Sequence, residues 1–315
     1  MRIIEPEVKL IKQKDFNFEL DKGSSVEDIS KIQNELFQNV LDHIEYCNGI
    51  CRDTDVKETI KDGNNLDALE HGTIYLTVPI GKPDPSNTED YMNRMRIVNF
   101  YQNDPDSIVK GYKSDEKDVL YVYFITTSYR VVVENNRHSD LIFLFNNSEY
   151  HAQRFTYGIV TNKGVANKLL KNKSLNISIS EPSIVNNELI LNSHSFDSDS
   201  EVKNSWIDLG KESFKLYETI INKGISKDNA YKVLPDTVQV NVVLSGFKED
   251  FENLFKTITF DDDIDYCDIV HMIMYDHDNT EITEELANEM AEENKKESAE
   301  VEETSRVDGD IDISE

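Results

Sequence analysis

SFKLYETIINKGISKDNAYKVLPDTVQVNVVLSGFKEDFENLFK occupies Ser213 to Lys256. Its first half sets Phe214, Leu216, Tyr217, Ile220 and Ile221 on one broad apolar face at helical spacing. Gly224 offers the helix a C-terminal stop. Ser226 with Lys227 and Asp228 starts a new helix, and Pro235 ends it. Two helices joined by a glycine break, then Val233-Leu234-Pro235, form the frame around which the other segments are read.

Working outward, a chain of 315 residues with 38% hydrophobic content, 14 Phe and 14 Tyr can bury one large core or two small ones. A net charge of −28 argues against nucleic acid or an anionic membrane surface as a general partner. A locally basic pocket for one small phosphate stays compatible with it. Cys47, Cys51 and Cys267 are an odd set without framework spacing, which suits a reducing compartment. Cys47 and Cys51 sit four apart, with no pair of histidines to complete a zinc site. MRIIEPEVKLIKQKDF has no basic stretch followed by an apolar run, so no signal peptide is expected. No apolar window reaches the length of a membrane span. The expectation is a cytoplasmic protein, or one of the host cytoplasm if the source is a virus.

From Asp278 to Glu315 the chain carries 15 Asp and Glu against three Lys and Arg, and no aromatic residue. ITEELANEMAEENKK reads as a short exposed helix capped by Thr283. The rest cannot bury enough apolar surface to offset its ordering entropy, so 278–315 is expected to be a solvated acidic tail. The folded domain is then 1–277. MRIIEPEVKLI alternates as a strand with Ile3, Val8 and Leu10 inward. Ser25 to Cys51 reads as helix through Val26, Ile29, Ile32, Leu36, Val40 and Ile44. Gly72 to Ile80 reads as a strand ending about Pro79, and GKPDPSNTEDYMNR as a polar connection. Val119 to Asn135 holds two β-rich pieces around Thr126-Thr127. RHSDLIFLFNN is a short helix, and YHAQRFTYGIVTN another strand. The order β-α-β-loop-β-α-β-α-α fits an α+β fold, an antiparallel or mixed sheet flanked by helices, better than a parallel βαβ repeat. There is no glycine-rich phosphate loop. Asp261-Asp262-Asp263 lacks the ligand spacing of a calcium loop. His271 and His277 read as an exposed helix end, His151 and Arg154 as surface or interface residues, and Trp206 as an interface or lid residue.

Several segments in collinear order resemble the flavin-dependent thymidylate synthases, especially a longer subgroup with an insertion after the strand that follows its histidine. They are IEYCNGIC (Ile44 to Cys51), LEHGTIYLTVP (Leu69 to Pro79), YFITTSYRVVVEN (Tyr123 to Asn135) and EYHAQRFTYGIVTNKGVANKL (Glu149 to Leu169). The stretch quoted first adds Tyr217-Glu218, Lys223-Gly224, Ala230 and Val233-Leu234-Pro235. The likeness spans about residues 1–277, and Glu70-His71-Gly72-Thr73 is its most specific piece. It implies that family's α+β fold and a homotetramer with FAD bound across subunits. The implied reaction converts dUMP to dTMP with methylene-tetrahydrofolate and reduced flavin, NADPH reducing the flavin.

The family holds phosphate and uracil with arginines, whose planar fork makes two charge-assisted hydrogen bonds. Its Arg-His-Arg is replaced here by Lys171-Asn172-Lys173, and its Glu-x-Ser-x-Arg falls in SLNISISEPSIV. Without a gap, Ile179, Glu181 and Ser183 take the Glu, Ser and Arg places. A slip of two recovers Glu181 and Ser183 and leaves Val185 at the last Arg. Pro182 would disturb a helix there. Tyr231 and Ile258 stand at two further arginine positions, and Ile50 at a third, with Arg52 displaced by two. The resemblance assigns His71, Lys171 and Lys173 to cofactor binding, the lysines as phosphate contacts, and Glu181 and Ser183 to the substrate. Two functions stay open: a divergent synthase of this family, or a catalytically silent homo-oligomeric scaffold, interaction or viral structural protein.

Overall fold

Ser25 opens the longest helix with a reciprocal cap: its hydroxyl accepts from the Asp28 amide at 3.2 Å while the Asp28 carboxylate takes the Ser25 amide at 3.0 Å. The computed structural model describes residues 1–15, 25–52, 66–82, 88–185, 188–193, 199–258 and 263–276. Two short strands, β1 (Arg2–Ile3) and β2 (Glu7–Leu10), precede that helix, α1 (Val26–Cys51). The expected single N-terminal strand is split at Pro6. Val8 and Leu10 still turn inward between exposed Glu7 and Lys9. Along α1 the buried residues are Ile32, Leu36, Val40, His43, Ile44, Cys47, Asn48 and Cys51. Val26 is 79% exposed and Ile29 is exposed too, so the first turn of the expected apolar face packs on nothing described.

The short helix α2 (Leu66–Leu69) leads into β3 (Thr73–Gly81). Between them Gly72 meets α1: a Cβ there would lie 2.5 Å from Ile44 Cδ1 and 3.0 Å from Val40 Cγ1, both buried side chains. Gly72→Val is expected to destabilise the fold by about 2 kcal/mol through overpacking, read as a lowered urea midpoint with an unchanged slope. Strand β3 runs through Pro79 to Gly81 rather than stopping. It is an edge strand, so the missing proline N–H costs little.

What reads as a polar connection contains a helix, α3 (Thr88–Asn103), of which only Val98 and Tyr101 are buried. An edge strand β4 (Ile108–Lys113) follows, unread in the sequence, and then β5 (Val119–Ser128). The second β-rich piece, YRVVVE, is instead helix α4 (Tyr129–Glu134), started by the Ser128 hydroxyl accepting from the Val131 amide at 3.4 Å. A 3-10 helix spans His138–Phe143 as expected, and the strand after it is β6 (Arg154–Asn162). Helix α5 (Lys163–Leu169), strands β7 (Asn176–Ile179), β8 (Ile184–Val185) and β9 (Glu188–Leu191), and helix α6 (Ser200–Asn222) come next. Gly224 takes φ +77° after α6, the left-handed stop that glycine adopts without strain. Ser226 then precedes α7 (Lys227–Ala230) and a 3-10 turn (Tyr231–Val233). Strand β10 (Gln239–Phe247), which the sequence reading passed over, and α8 (Lys248–Phe255) complete the labelled elements.

Three sheets result: β2-β6-β10-β7, fully antiparallel; β3-β5-β4, also antiparallel; and β1-β9-β8, mixed because β1 runs parallel to β9. The fold is α+β, with three small sheets where one was expected. One core packs α1 against β3, α3 and β5 through Ile44, Leu76, Val98, Tyr101 and Ile125. Another packs α6 on β9 and the Ala230–Val238 segment. Trp206, expected at an interface or lid, is buried in this second core, its Nε1–H donating to Thr237 Oγ1 at 3.0 Å. The helix carrying it begins at Ser200, thirteen residues before the expected start at Ser213.

The chain divides into two compact units, Met1–Val270 and His271–Glu315. Of the second, residues 271–276 are described and helical, with His271 exposed. His277, the acidic tail, its expected helix after Thr283, and Asp261-Asp262 lie outside the described residues. No helix among the described residues is long and apolar enough to cross a membrane.

Candidate functional site

Glu70-His71-Gly72 forms the turn between α2 and β3, with Gly72 packed closely on Ile44 and Val40 of α1. The imidazole is buried between two strands of the four-stranded sheet: Nδ1 lies 2.8 Å from Ser245 Oγ on β10 and Nε2 lies 2.8 Å from Ser178 Oγ on β7. Ser245 also pairs with Thr156 Oγ1 on β6 at 2.9 Å. A neutral imidazole has one donor and one acceptor nitrogen, so one serine donates to the ring and the other accepts from it. Burial, with Arg154 and His43 nearby, pulls its pKa down to about 3. His71 is therefore neutral, with both ring nitrogens spent on serine hydroxyls.

His43 on α1 lies beside this ring and takes the same fate, its pKa lowered to about 4 by burial and by Arg154. Its Nε2 stands 3.7 Å from Cys47 Sγ. Burial pushes the Cys47 thiol up to about 12 and that of Cys51 up to about 11, so neither is a ready nucleophile. Among the described residues no group of three His, Cys, Asp or Glu side chains could hold a metal ion.

Beside Glu70 a polar cavity of about 420 Å³ opens between α2, α4, β6, β7 and the start of α8. Half-buried Arg154 donates from Nη1 to Thr73 Oγ1 (3.2 Å) and from Nη2 to the Glu70 carbonyl (2.5 Å). The Asn176 amide bridges the wall: its nitrogen donates to Glu70 Oε2 (2.9 Å) and its oxygen accepts from Arg154 Nη2 (3.1 Å). Arg130 binds the Glu70 carboxylate and also donates from Nε to Glu134 at 2.7 Å. Burial raises the Glu70 pKa against the pull of Arg130. Arg154 is thus a cavity residue rather than a surface one. His151 is likewise buried, its Nδ1 2.9 Å from Ser148 Oγ and its Nε2 3.3 Å from the Leu76 carbonyl. The sequence carried one usable signal for Arg154: a lone cation opening an apolar strand run.

Lys171, Asn172 and Lys173 follow α5 in a turn that Asn172 organises, its Oδ1 accepting from the Ser174 amide (3.2 Å) and hydroxyl (2.8 Å). The two lysines face a second cavity, of about 530 Å³, together with Lys168, Asn253 and Thr257, and among the described residues no carboxylate lines it. Lys173 also borders the first cavity. The Lys-Asn-Lys turn and the segment leading to Ile258 are therefore brought together. Glu181 and Ser183 line neither cavity. They lie in the extended link from β7 to β8, where Pro182 interrupts no helix. Ser183 donates its amide to the Gln239 carbonyl at 2.9 Å. Exposed Glu181 accepts from Tyr231 Oη (2.7 Å) and from Lys227 Nζ (3.2 Å), which hold its carboxyl below the usual range. Tyr231 completes a stack with Tyr217 and Phe214, at 5.7 and 5.9 Å between centroids, each pair 12° from parallel. Partial burial and the bond to Glu181 push its hydroxyl up to about 12.

No family model matches the sequence, and no curated protein matches it. Solved structures similar to part of it include the UMP/dUMP methylase PolB from Streptomyces cacaoi bound with 5-Br dUMP. The TM-score is 0.34 at 9% identity, over 38% of this chain and 63% of that one. The same enzyme bound with 5-Br UMP gives 0.33 at 10% identity, over 38% and 65%. The chain spans less than two thirds of the length of either.

Proposed function

We propose that this chain is a divergent relative of the flavin-dependent thymidylate synthases that no longer binds dUMP and works as a homo-oligomeric interaction or structural subunit. One observation carries the reading. At position 231, where the family frame calls for a nucleotide-holding arginine, a tyrosine donates to Glu181, the residue that the same frame assigns to the substrate. A substrate carboxylate is thereby satisfied from within the chain, and the cation that should hold phosphate is absent. The state of His71 supports the same reading. Its ring nitrogens are both engaged and it borders neither cavity, so it does not fit a place beside a flavin.

The competing reading is a working synthase that uses FAD, NADPH and methylene-tetrahydrofolate, with Lys171 and Lys173 as phosphate contacts. It draws on the cavity those lysines share with Lys168, which no carboxylate lines among the described residues. Purified full-length protein separates the two. Under the proposal it is colourless, lacks a flavin band at any sizeable fraction of the subunit concentration, and releases no tritium from C5-labelled dUMP. A yellow protein with near-stoichiometric flavin, or tritium release, overturns it. The proposed assembly is tested alongside: four copies of the 36.3 kDa chain scatter light at about 145 kDa, and a monomer mass removes the homo-oligomer.

A further inference from the structure

The cavity beside Glu70 carries charges of both signs that the fold does not pair off. A guanidinium has five N–H groups. Three of those on Arg154 go to Thr73 Oγ1, the Glu70 carbonyl and the Asn176 amide oxygen, all neutral acceptors, which leaves two. Among the described residues no carboxylate stands within ion-pair distance of it. Lys173, at the rim of the same cavity, likewise has no ion pair among the described residues, and neither do Asp106 and Glu249. Arg130 differs, since Glu70 and Glu134 neutralise it. Glu70, Asp250 and Asp106 act on the Arg154 guanidinium through space without a direct ion pair, so two of its N–H groups stay open to a ligand.

We propose that this cavity binds a small zwitterion of the α-amino-acid class, its carboxylate held by Arg154 and Lys173 and its ammonium by Asp106 and Glu249. A carboxylate suits the two unspent guanidinium N–H groups, which bind a planar pair of oxygens with good geometry. A phosphate dianion is disfavoured by the lining carboxylates Asp106, Glu249 and Asp250, and a simple amine by the two cations. A volume of about 420 Å³ accommodates a ligand of this size with a few waters. The inference stands apart from the loss of dUMP binding, because it rests on Arg154 and not on the Tyr231–Glu181 pair.

Thermal melting of the full-length protein with each of the twenty standard amino acids at about 10 mM tests it. At least one is expected to raise Tm by about 3 °C or more. The amine made by removing its carboxylate, and the acid made by removing its amino group, should each leave Tm unmoved. Arg154→Gln should abolish the shift. Because Arg154 also supports Glu70 and Thr73, the double variant Lys173→Ala, Glu249→Gln at exposed positions provides a second reading, and it should reduce affinity at least tenfold with the unliganded Tm preserved. No shift with any amino acid, an equal shift with the lone acid or amine, or unchanged affinity in the double variant would each overturn the proposal.

Discussion

Unfolding free energy should fall by several kcal/mol as pH drops from 7 to 5. Three histidines are responsible: His71, His43 and His151, all buried, with pKa values held at about 3, 4 and 4 against an ordinary 6.5. The depressed values mean that the folded chain resists protonation while the unfolded chain accepts it. Above pH 6.5 both states are neutral and the stability is intact. Below 6.5 the unfolded state binds protons that the native state refuses, so stability declines down to about pH 4, where the native histidines also titrate. At pH 5 each group lies about 1.5 units below its unfolded value, a loss of about 2 kcal/mol per histidine. His71 and His43 are neighbours and not additive, so about 4 kcal/mol is the expected total, a large part of a typical domain's stability. Glu70, Asp104 and Asp250, raised by burial, bind protons more readily in the folded state and oppose the loss at the acid end. Urea midpoints at pH 7, 6 and 5 measure the slope. His151→Gln should flatten it by about half. A midpoint unchanged between pH 7 and pH 5 would mean that these rings are not held neutral as described.

None of this was legible at the histidines themselves, although the scaffold that buries them largely was. The three-and-four spacing from Ile32 to Ile44 locates α1, and Gly224, Ser226 and Pro235 punctuate the C-terminal helices where they occur. The failures have separate physical causes. Helix α3 buries only Val98 and Tyr101, so periodicity has almost nothing to report. In YRVVVE the β-branched residues favour a strand, and a single serine cap with tertiary packing overrides that preference. Strand β10 did carry a signal, Val240, Val242 and Leu244 alternating with Asn241, but it sits between two helices that drew the reading. The polar cavity was the least accessible of all. Glu70 meets Arg130 across 60 residues and Arg154 across 84, so their partnership exists only in the folded chain.

Wild-type protein is expected to bind dUMP no more tightly than about 1 mM, a deficit of three or more orders of magnitude against a site with its arginines. The estimate takes each lost charge-assisted hydrogen bond at about 1.5–3 kcal/mol over three positions. Restoring arginines should not act equally at each. Ile258 adjoins Thr257, which shares a cavity with Lys171 and Lys173; Lys168 there pairs with Asp263 at 3.8 Å, but the other two lysines have no ion pair among the described residues, so Ile258→Arg adds a cation beside them. About a tenfold gain in affinity for dUMP or inorganic phosphate follows. Tyr231→Arg puts its guanidinium within reach of Glu181, already a partner of Lys227. The new arginine is captured as an ion pair and yields no affinity by itself. Only with Glu181→Gln added should position 231 contribute. Isothermal titration of the wild type, each single arginine variant and the Tyr231→Arg, Glu181→Gln pair gives the ranking. Micromolar dUMP binding by the wild type would make the lysine turn a working phosphate site and end the silent reading. A gain from Tyr231→Arg alone would mean that Glu181 does not hold position 231 in the way its 2.7 Å bond indicates.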